Sequence, residues 1–123
     1  MKYKNTPIAI DFDGTCVTHE YPLVGKDIGA APVLRELVKE GAQLILFTMR
    51  SGTSLMDAIN WFERNGIPLW GVQYHPEQIH WTTSNKCYAK IYIDDAALGA
   101  PLKEEEGVDR PFIDWDKVRE ILL

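Results

Sequence analysis

A chain of 123 residues with 13 lysines and arginines against 18 aspartates and glutamates has a formal charge of −5. That balance excludes the broad basic face that a sequence-independent grip on nucleic acid needs. No apolar run approaches the roughly 20 residues that cross a bilayer, which excludes a spanning helix.

Four Trp, five Tyr and four Phe can fill one core, and the length suits a single domain over residues 1–123. The opening MKYKNTPIAIDFDG reaches acidic residues too early for a signal peptide. Cys16 and Cys87 are far apart and form no C-x-x-C pair. A reducing, cytoplasmic setting without a membrane partner is the expectation.

Pro7 opens a continuous apolar run, Ile8-Ala9-Ile10, that continues into Asp11-Phe12 and reads as a buried, parallel strand. Residues 14–30 carry glycines and a proline without a period, as in a long loop or small hairpin over the strand ends. From Ala31 the spacing is helical, with Val33, Leu34, Leu37 and Val38 on one face and Gly41 as the stop. Gln43–Phe47 reads as a second buried strand ending at Thr48. Ser54 then reads as an N-cap with Asp57 three residues on, before the stripe Leu55, Ala58, Ile59 and Phe62. Asn65-Gly66 ends that helix.

Leu69–Val72 is a short strand, and residues 73–88 are aromatic and polar with no period. Ile91–Ile93 is another strand, followed by Asp94-Asp95. Lys103–Glu106 reads as a solvated loop and Phe112-Ile113 as an edge strand. Asp114 caps a last helix with Trp115, Val118, Ile121 and Leu122 inward. Strands alternating with helices predict an α/β fold: a Rossmann-like parallel sheet, doubly wound in three layers.

In such sheets, sites form beyond the carboxyl ends of the strands. Asp11, Thr48 and Asp94 each follow a predicted strand, so the three meet at one sheet edge. Side chains two apart on extended backbone point the same way, so Asp13 joins Asp11, and Asp95 adds a fourth carboxylate. Carboxylates packed together repel unless a cation sits among them, and hard oxygen ligands suit Mg²⁺ beside a substrate phosphate. His75 and His80 are five apart around a proline, which is not a helical zinc spacing.

A phosphate there needs donors. Thr48 offers a hydroxyl. The turn Asp13-Gly14-Thr15 offers backbone N–H groups, with Gly14 allowing close approach. A cation is also wanted to neutralise the transferring group, with Lys86 and Lys90 as candidates. Lys90 would lie at the far end of its strand, roughly 13 Å from the metal at about 3.3 Å per residue, so Lys86 is preferred. Arg50 lies near the same rim, either binding a second anionic group of the substrate or simply solvated.

These residues resemble the four motifs of the haloacid dehalogenase-like (HAD) phosphohydrolase superfamily. DFDGT is similar to the first, LILFT to the second, and Lys86 with IYIDD to the third and fourth, in the family's order from Ile8 to Asp95. The resemblance implies a Mg²⁺-dependent phosphatase working through an aspartyl-phosphate. Asp11 would be the nucleophile and Asp13 the acid and then the base. Mg²⁺ would be held by Asp11, the Asp13 carbonyl and Asp94, with Asp95 direct or through water. Thr48 and Lys86 would bind phosphate oxygens. The intervals between motifs leave no room for a cap domain. The expectation is an uncapped member with an open site, shaped by residues 15–30 and 73–85 or closed by a second copy in a homo-oligomer.

An open site admits a small or sugar phosphate, or alternatively a polynucleotide end; the acidic charge tilts towards the former. A phospho-receiver domain would need an adjacent acidic pair after the first strand and an acceptor aspartate after the third, whereas Phe12 splits the pair and Asp57 falls in a helical pattern. Cysteine phosphatases need an arginine six residues beyond the thiol, where Pro22 and Ile93 stand. The Trp70–Trp81 region is expected mainly to pack and anchor its loop.

Overall fold

The computed structural model describes residues 1–123. Strand β1 (Thr6–Ile10) lies between β2 (Ala42–Leu46) and β4 (Ile91–Ile93), and β3 (Gly71–Val72) pairs with the outer side of β2. All pairings in this four-stranded sheet, order β3-β2-β1-β4, are parallel. Helix α1 (Ala30–Lys39) joins β1 to β2, and α2 (Gly52–Arg64) joins β2 to β3. A two-stranded antiparallel hairpin, β5 (Leu102–Lys103) and β6 (Phe112–Ile113), precedes α3 (Trp115–Leu122). The chain is thus an α/β protein with a parallel sheet flanked by helices. No helix is long and apolar enough to cross a membrane.

The alternation of the strands decides which layer each residue joins. Ile8, Ile10, Leu44 and Leu46 point to one face and share a 20-residue core with Leu34 and Leu37 of α1, Trp61 and Phe62 of α2, and Trp115 and Val118 of α3. Each fully buried Ile or Leu contributes about 1.5–3 kcal/mol. Ala9 and Ile45 point to the opposite face, are equally buried, and stand outside that core. The crossing from β3 to β4, residues 73–90, carries a single 3-10 turn, Gln78–His80, and no α-helix. All three α-helices contribute side chains to the 20-residue core.

Most elements follow the sequence pattern. Asp114 caps α3, accepting from the N–H groups of Asp116 and Lys117. The cap of α2 differs. The helix begins at Gly52 after Ser51, with no side-chain cap bond, and the Ser54 hydroxyl donates to the Ser51 carbonyl at 2.8 Å. Ser54 is inside the first turn, and Asp57 is an exposed helical residue rather than half of a capping box.

Register positions the site. Ile8, Ile10 and their neighbours align with Leu44, Leu46 and with Ile91, Ile93. The bonds from Asp11 N–H to Ile93 O, 3.0 Å, and from Phe47 N–H to Ile10 O, 2.8 Å, extend this alignment by one residue. Asp11, Phe47 and Asp94 therefore leave the sheet level with one another.

Candidate active site

The level strand ends bring Asp11, Asp94 and Asp95 together, with one carboxylate oxygen of each inside 4.8 Å of the others. Burial, the hydrogen bond that protonated Asp11 donates to the Asp95 carboxylate and the negative charge of Asp94 push the Asp11 carboxyl up to about 8, against a smaller lowering by the Thr15 hydroxyl. The cluster resists full ionisation by itself, as carboxylates crowded at one spot must.

Thr15 ties the cluster together. Its fully buried hydroxyl lies 2.9 Å from Asp11 Oδ2 and 3.2 Å from Asp95 Oδ1, and accepts the Asp95 N–H at 3.0 Å. Thr15 was expected to face a substrate; it is sealed inside and holds two carboxylates instead. Its N–H donates to Phe12 O at 3.1 Å, and that of Gly14 to Val17 O at 2.7 Å. Of the turn's three N–H groups only that of Asp13 is left without a protein partner. Gly14 has a different use. At φ +78°, a Cβ there would lie 1.9 Å from His19 Nε2 and 2.6 Å from Asp95 Oδ2. The glycine makes room for the 2.7 Å contact between His19 Nε2 and Asp95 Oδ2.

Buried Arg50 pairs with Asp13, whose side chain is half-buried in the cavity wall. Arg50 Nε and Nη2 donate to the two Asp13 oxygens, each at 2.8 Å, a two-pronged geometry suited to guanidinium and carboxylate. The remaining donors reach the carbonyls of Pro22, Leu23 and Ser54 at 3.3, 2.7 and 3.1 Å. The guanidinium also lies against the rings of Phe12 and Tyr21, at 5.0 and 5.2 Å. Arg50 is 1% exposed, and its bonds to Asp13 hold its proton more tightly than usual. Both sequence readings of Arg50, substrate contact or solvated rim, give way to this one. Its donors are spent on protein, and the Asp13 side chain is occupied on both oxygens. The Asp13 carbonyl accepts no hydrogen bond from the protein.

Thr48 is braced by a residue the sequence reading passed over. The Gln73 side-chain amide accepts the Thr48 N–H at 2.9 Å and donates to the Thr48 carbonyl at 2.7 Å, imitating a neighbouring strand where β3 has ended. Gln73 sits at φ +68° to do so. The Thr48 hydroxyl accepts the Arg50 N–H at 3.1 Å, leaving its own proton to give away.

These groups line a cavity of about 500 Å³ that holds Asp11, Asp13, Thr48, Asp94 and Asp95, with His19 and Arg110 also in its wall. Neither lysine is part of it. Lys86 is exposed, its ammonium lies 5.7 Å from the Tyr92 ring centre, and its carbonyl accepts from Gln78. Lys90 is exposed at the entry to β4, where its N–H donates to Pro7 O. No signal in the pattern marked His19, Gln73 or Arg110, because each arrives from a loop without a period. The aromatic segment packs only in part: His75 is buried against Trp70, Trp81 and Tyr88 at 4.5, 5.3 and 5.4 Å, while Tyr74 and Trp81 are 56% and 57% exposed. Burial, and then the charge of Asp11, push the Cys16 thiol well up, and burial raises Cys87, so neither is a ready nucleophile.

No family model matches the chain, and no curated protein matches it. Among solved structures, a conserved protein from Bacteroides thetaiotaomicron is similar, with a TM-score of 0.76 and 34% sequence identity over 94% of this chain and 88% of that one. Identity at that level along nearly the whole of both chains extends the likeness from architecture to sequence. The chain belongs to the same family as this conserved Bacteroides thetaiotaomicron protein.

Proposed function

We propose that the protein is a phosphatase of the HAD type that hydrolyses a phosphomonoester through an aspartyl-phosphate on Asp11, with Mg²⁺ as cofactor. The observation that supports this best is the gathering of Asp11, Asp94 and Asp95 oxygens at one sheet edge, in the cavity that also holds Thr48. The 73–90 crossing is then the abbreviated second layer of a doubly wound sheet, and no cap covers the site.

The donor set fits a hard divalent cation. Three carboxylates converge, one of them resisting ionisation, and the Asp13 carbonyl is uncommitted. Asp11, Asp94 and the Asp13 carbonyl would hold Mg²⁺. Asp95 already accepts from Thr15 on one oxygen and faces His19 with the other, so it suits contact through a water. Bound there, Mg²⁺ offsets the charge of the cluster and of the phosphoryl oxygens.

Thr15 engages one oxygen of Asp11 and leaves the other to approach phosphorus. The Thr48 hydroxyl and the unpartnered N–H groups of Asp13 and Met49, both cavity residues, are the donors for phosphoryl oxygens. Asp13 is the acid and base that the motif implies. It reaches the leaving oxygen by exchanging one of its two Arg50 bonds for that contact. The cavity's volume suits a small or sugar phosphate. The receiver reading lacks support, because Asp57 is an exposed residue of α2 outside the cavity.

Phosphate release from an aryl phosphate tests the proposal. The expected outcome is Mg²⁺-dependent turnover that Asp11→Asn lowers roughly a thousandfold or more without loss of fold. Undiminished turnover in that variant, or no turnover by the wild type across a panel of phosphorylated metabolites and phosphorylated oligonucleotide ends, would overturn it.

A further inference from the structure

Charge inside the cavity is lopsided. Four carboxylates face it, and the one buried cation, Arg50, is consumed by Asp13. Mg²⁺ would offset part of the remainder, yet a phosphomonoester brings its own negative charge. The lysine expected to meet that charge, Lys86, lies outside the cavity against Tyr92. Arg110 lies in the cavity wall with the carboxylates and Thr48. The molecule's lysine and arginine ion pairs are Lys26–Glu105, Arg50–Asp13 and Arg119–Glu36, His19 lies against Asp95, and none of these contacts uses Arg110. It is exposed and free of any protein partner.

Its position is fixed by the segments around it. Three residues on, the Ile113 N–H donates to the Gly14 carbonyl at 3.0 Å, which seats the β5–β6 hairpin on the turn carrying Asp13. Two residues further, Trp115 Nε1 donates to the Thr15 carbonyl at 2.7 Å. Before it, Glu105 meets Lys26 at 3.3 Å, joining the hairpin's loop to the segment above the strand ends. The backbone at residue 110 is thereby held against the site, with the side chain exposed in the cavity wall. Phe112 and Ile113, 1% and 0% exposed, anchor the same arm in the core.

Resting on the phosphatase reading above, we propose that Arg110 binds the phosphoryl group of the substrate, taking the place Lys86 does not fill. A guanidinium can give two parallel N–H bonds to two phosphoryl oxygens, whereas a lysine acts as a point charge. An arginine on an exposed arm also suits an uncapped site, since it closes over the phosphate from the solvent side. Substrates are then selected for a dianionic terminal phosphate rather than for a particular leaving group.

The test is calorimetric titration of Mg²⁺ alone, and then of inorganic phosphate in saturating Mg²⁺, into the wild type, Arg110→Gln and Arg110→Lys. Thermal unfolding without ligand checks that the variants fold. Arg110→Gln should weaken phosphate binding by roughly tenfold to a hundredfold, the worth of a charge-assisted hydrogen bond, and leave Mg²⁺ affinity unchanged. Arg110→Lys should fall between. With an aryl phosphate, KM should rise more than kcat falls. Phosphate binding by Arg110→Gln within about twofold of wild type overturns the inference and leaves the phosphatase reading standing. A variant that binds Mg²⁺ more tightly and phosphate as before marks Arg110 as a partner of the acidic cluster, and also overturns it. A wild type that takes up neither Mg²⁺ nor phosphate overturns both readings together.

Discussion

The acids and the cations of the cavity are held in place by different means. Asp11, Asp94 and Asp95 follow adjacent parallel strands whose register leaves them level, so hydrogen-bonded backbone sets their separation. Arg50, His19 and Arg110 come from loops; Arg50 and His19 owe their positions to contacts with chain distant in sequence, and Arg110 is carried by an arm whose Ile113 N–H bonds Gly14. The strand side concentrates charge that repels. The loop side spends one cation on structure, sets a histidine against Asp95 and leaves one arginine free. The difference teaches that residues near one another in a motif need not share partners: Asp13 pairs with Arg50, whereas Asp11, two residues away, is tied to Thr15.

The largest effect should come from separating the loop side from the strand side. Arg50→Leu leaves the Asp13 carboxylate without its partner and should cost about 3–5 kcal/mol of stability, read by denaturant unfolding; a loss below about 1 kcal/mol would show the pair to be incidental. Gly14→Ala attacks the seam itself, forcing a Cβ at φ +78° into His19 and Asp95. It should lose about 1–3 kcal/mol, and weaken Mg²⁺ binding as Asp95 moves. Thr15→Val removes the hydroxyl that links Asp11 to Asp95 and should cost about 1–3 kcal/mol, with the Asp95 N–H left unpaired.

A pH series sharpens the comparison without mutation. The folded Asp11 carboxyl holds its proton up to about 8, against an ordinary value of 3.8. The folded state therefore binds more protons than the unfolded chain in that window. The contribution is fully present below 3.8 and disappears as pH rises through 8. Without divalent cation, thermal stability should decline from pH 5 to about pH 9, and Mg²⁺ should flatten the slope by favouring the ionised cluster. An unchanged slope in Asp11→Asn would assign it elsewhere. The smallest effect belongs to Lys86→Ala, which should change turnover by no more than about twofold, as for a surface substitution away from the site. A large loss there would return the lysine to the cavity and displace Arg110 from it.

Much of the strand side was legible from residue order. A continuous apolar run that ends in Asp11, and another that ends in Asp94-Asp95, are buried parallel strands whose carboxyl ends must coincide once the strands pair. The period of 3.6 in Val33, Leu34 and Leu37 likewise identified the inner face of α1. Helix starts were less legible. A serine followed three residues later by an acid can cap a helix or lie in its first turn, and Ser54 does the latter because Ser51 and Gly52 start α2 earlier.

Legibility failed where one residue type has several uses. Thr15 and Gly14 have the composition of a phosphate-binding turn, yet their hydrogen bonds go to Asp11, Asp95 and Val17. Gln73 is a polar residue after a strand, and nothing nearby announces that its amide will replace a strand for Thr48. The helix-free crossing from β3 to β4 has a comparable origin. A stretch of aromatic and polar residues without a period gives no sign that it will join β3 to β4 with only a 3-10 turn.

By itself the amino-acid order determined the alternating elements, the buried faces of the strands and the assembly of acids at one edge, because period and burial are local consequences of backbone geometry. Which acid pairs with which cation was decided only by the tertiary structure. Polar contacts between loops depend on where distant segments come to rest, and Arg50 found Asp13, His19 found Asp95, and Arg110 was left unpaired for that reason.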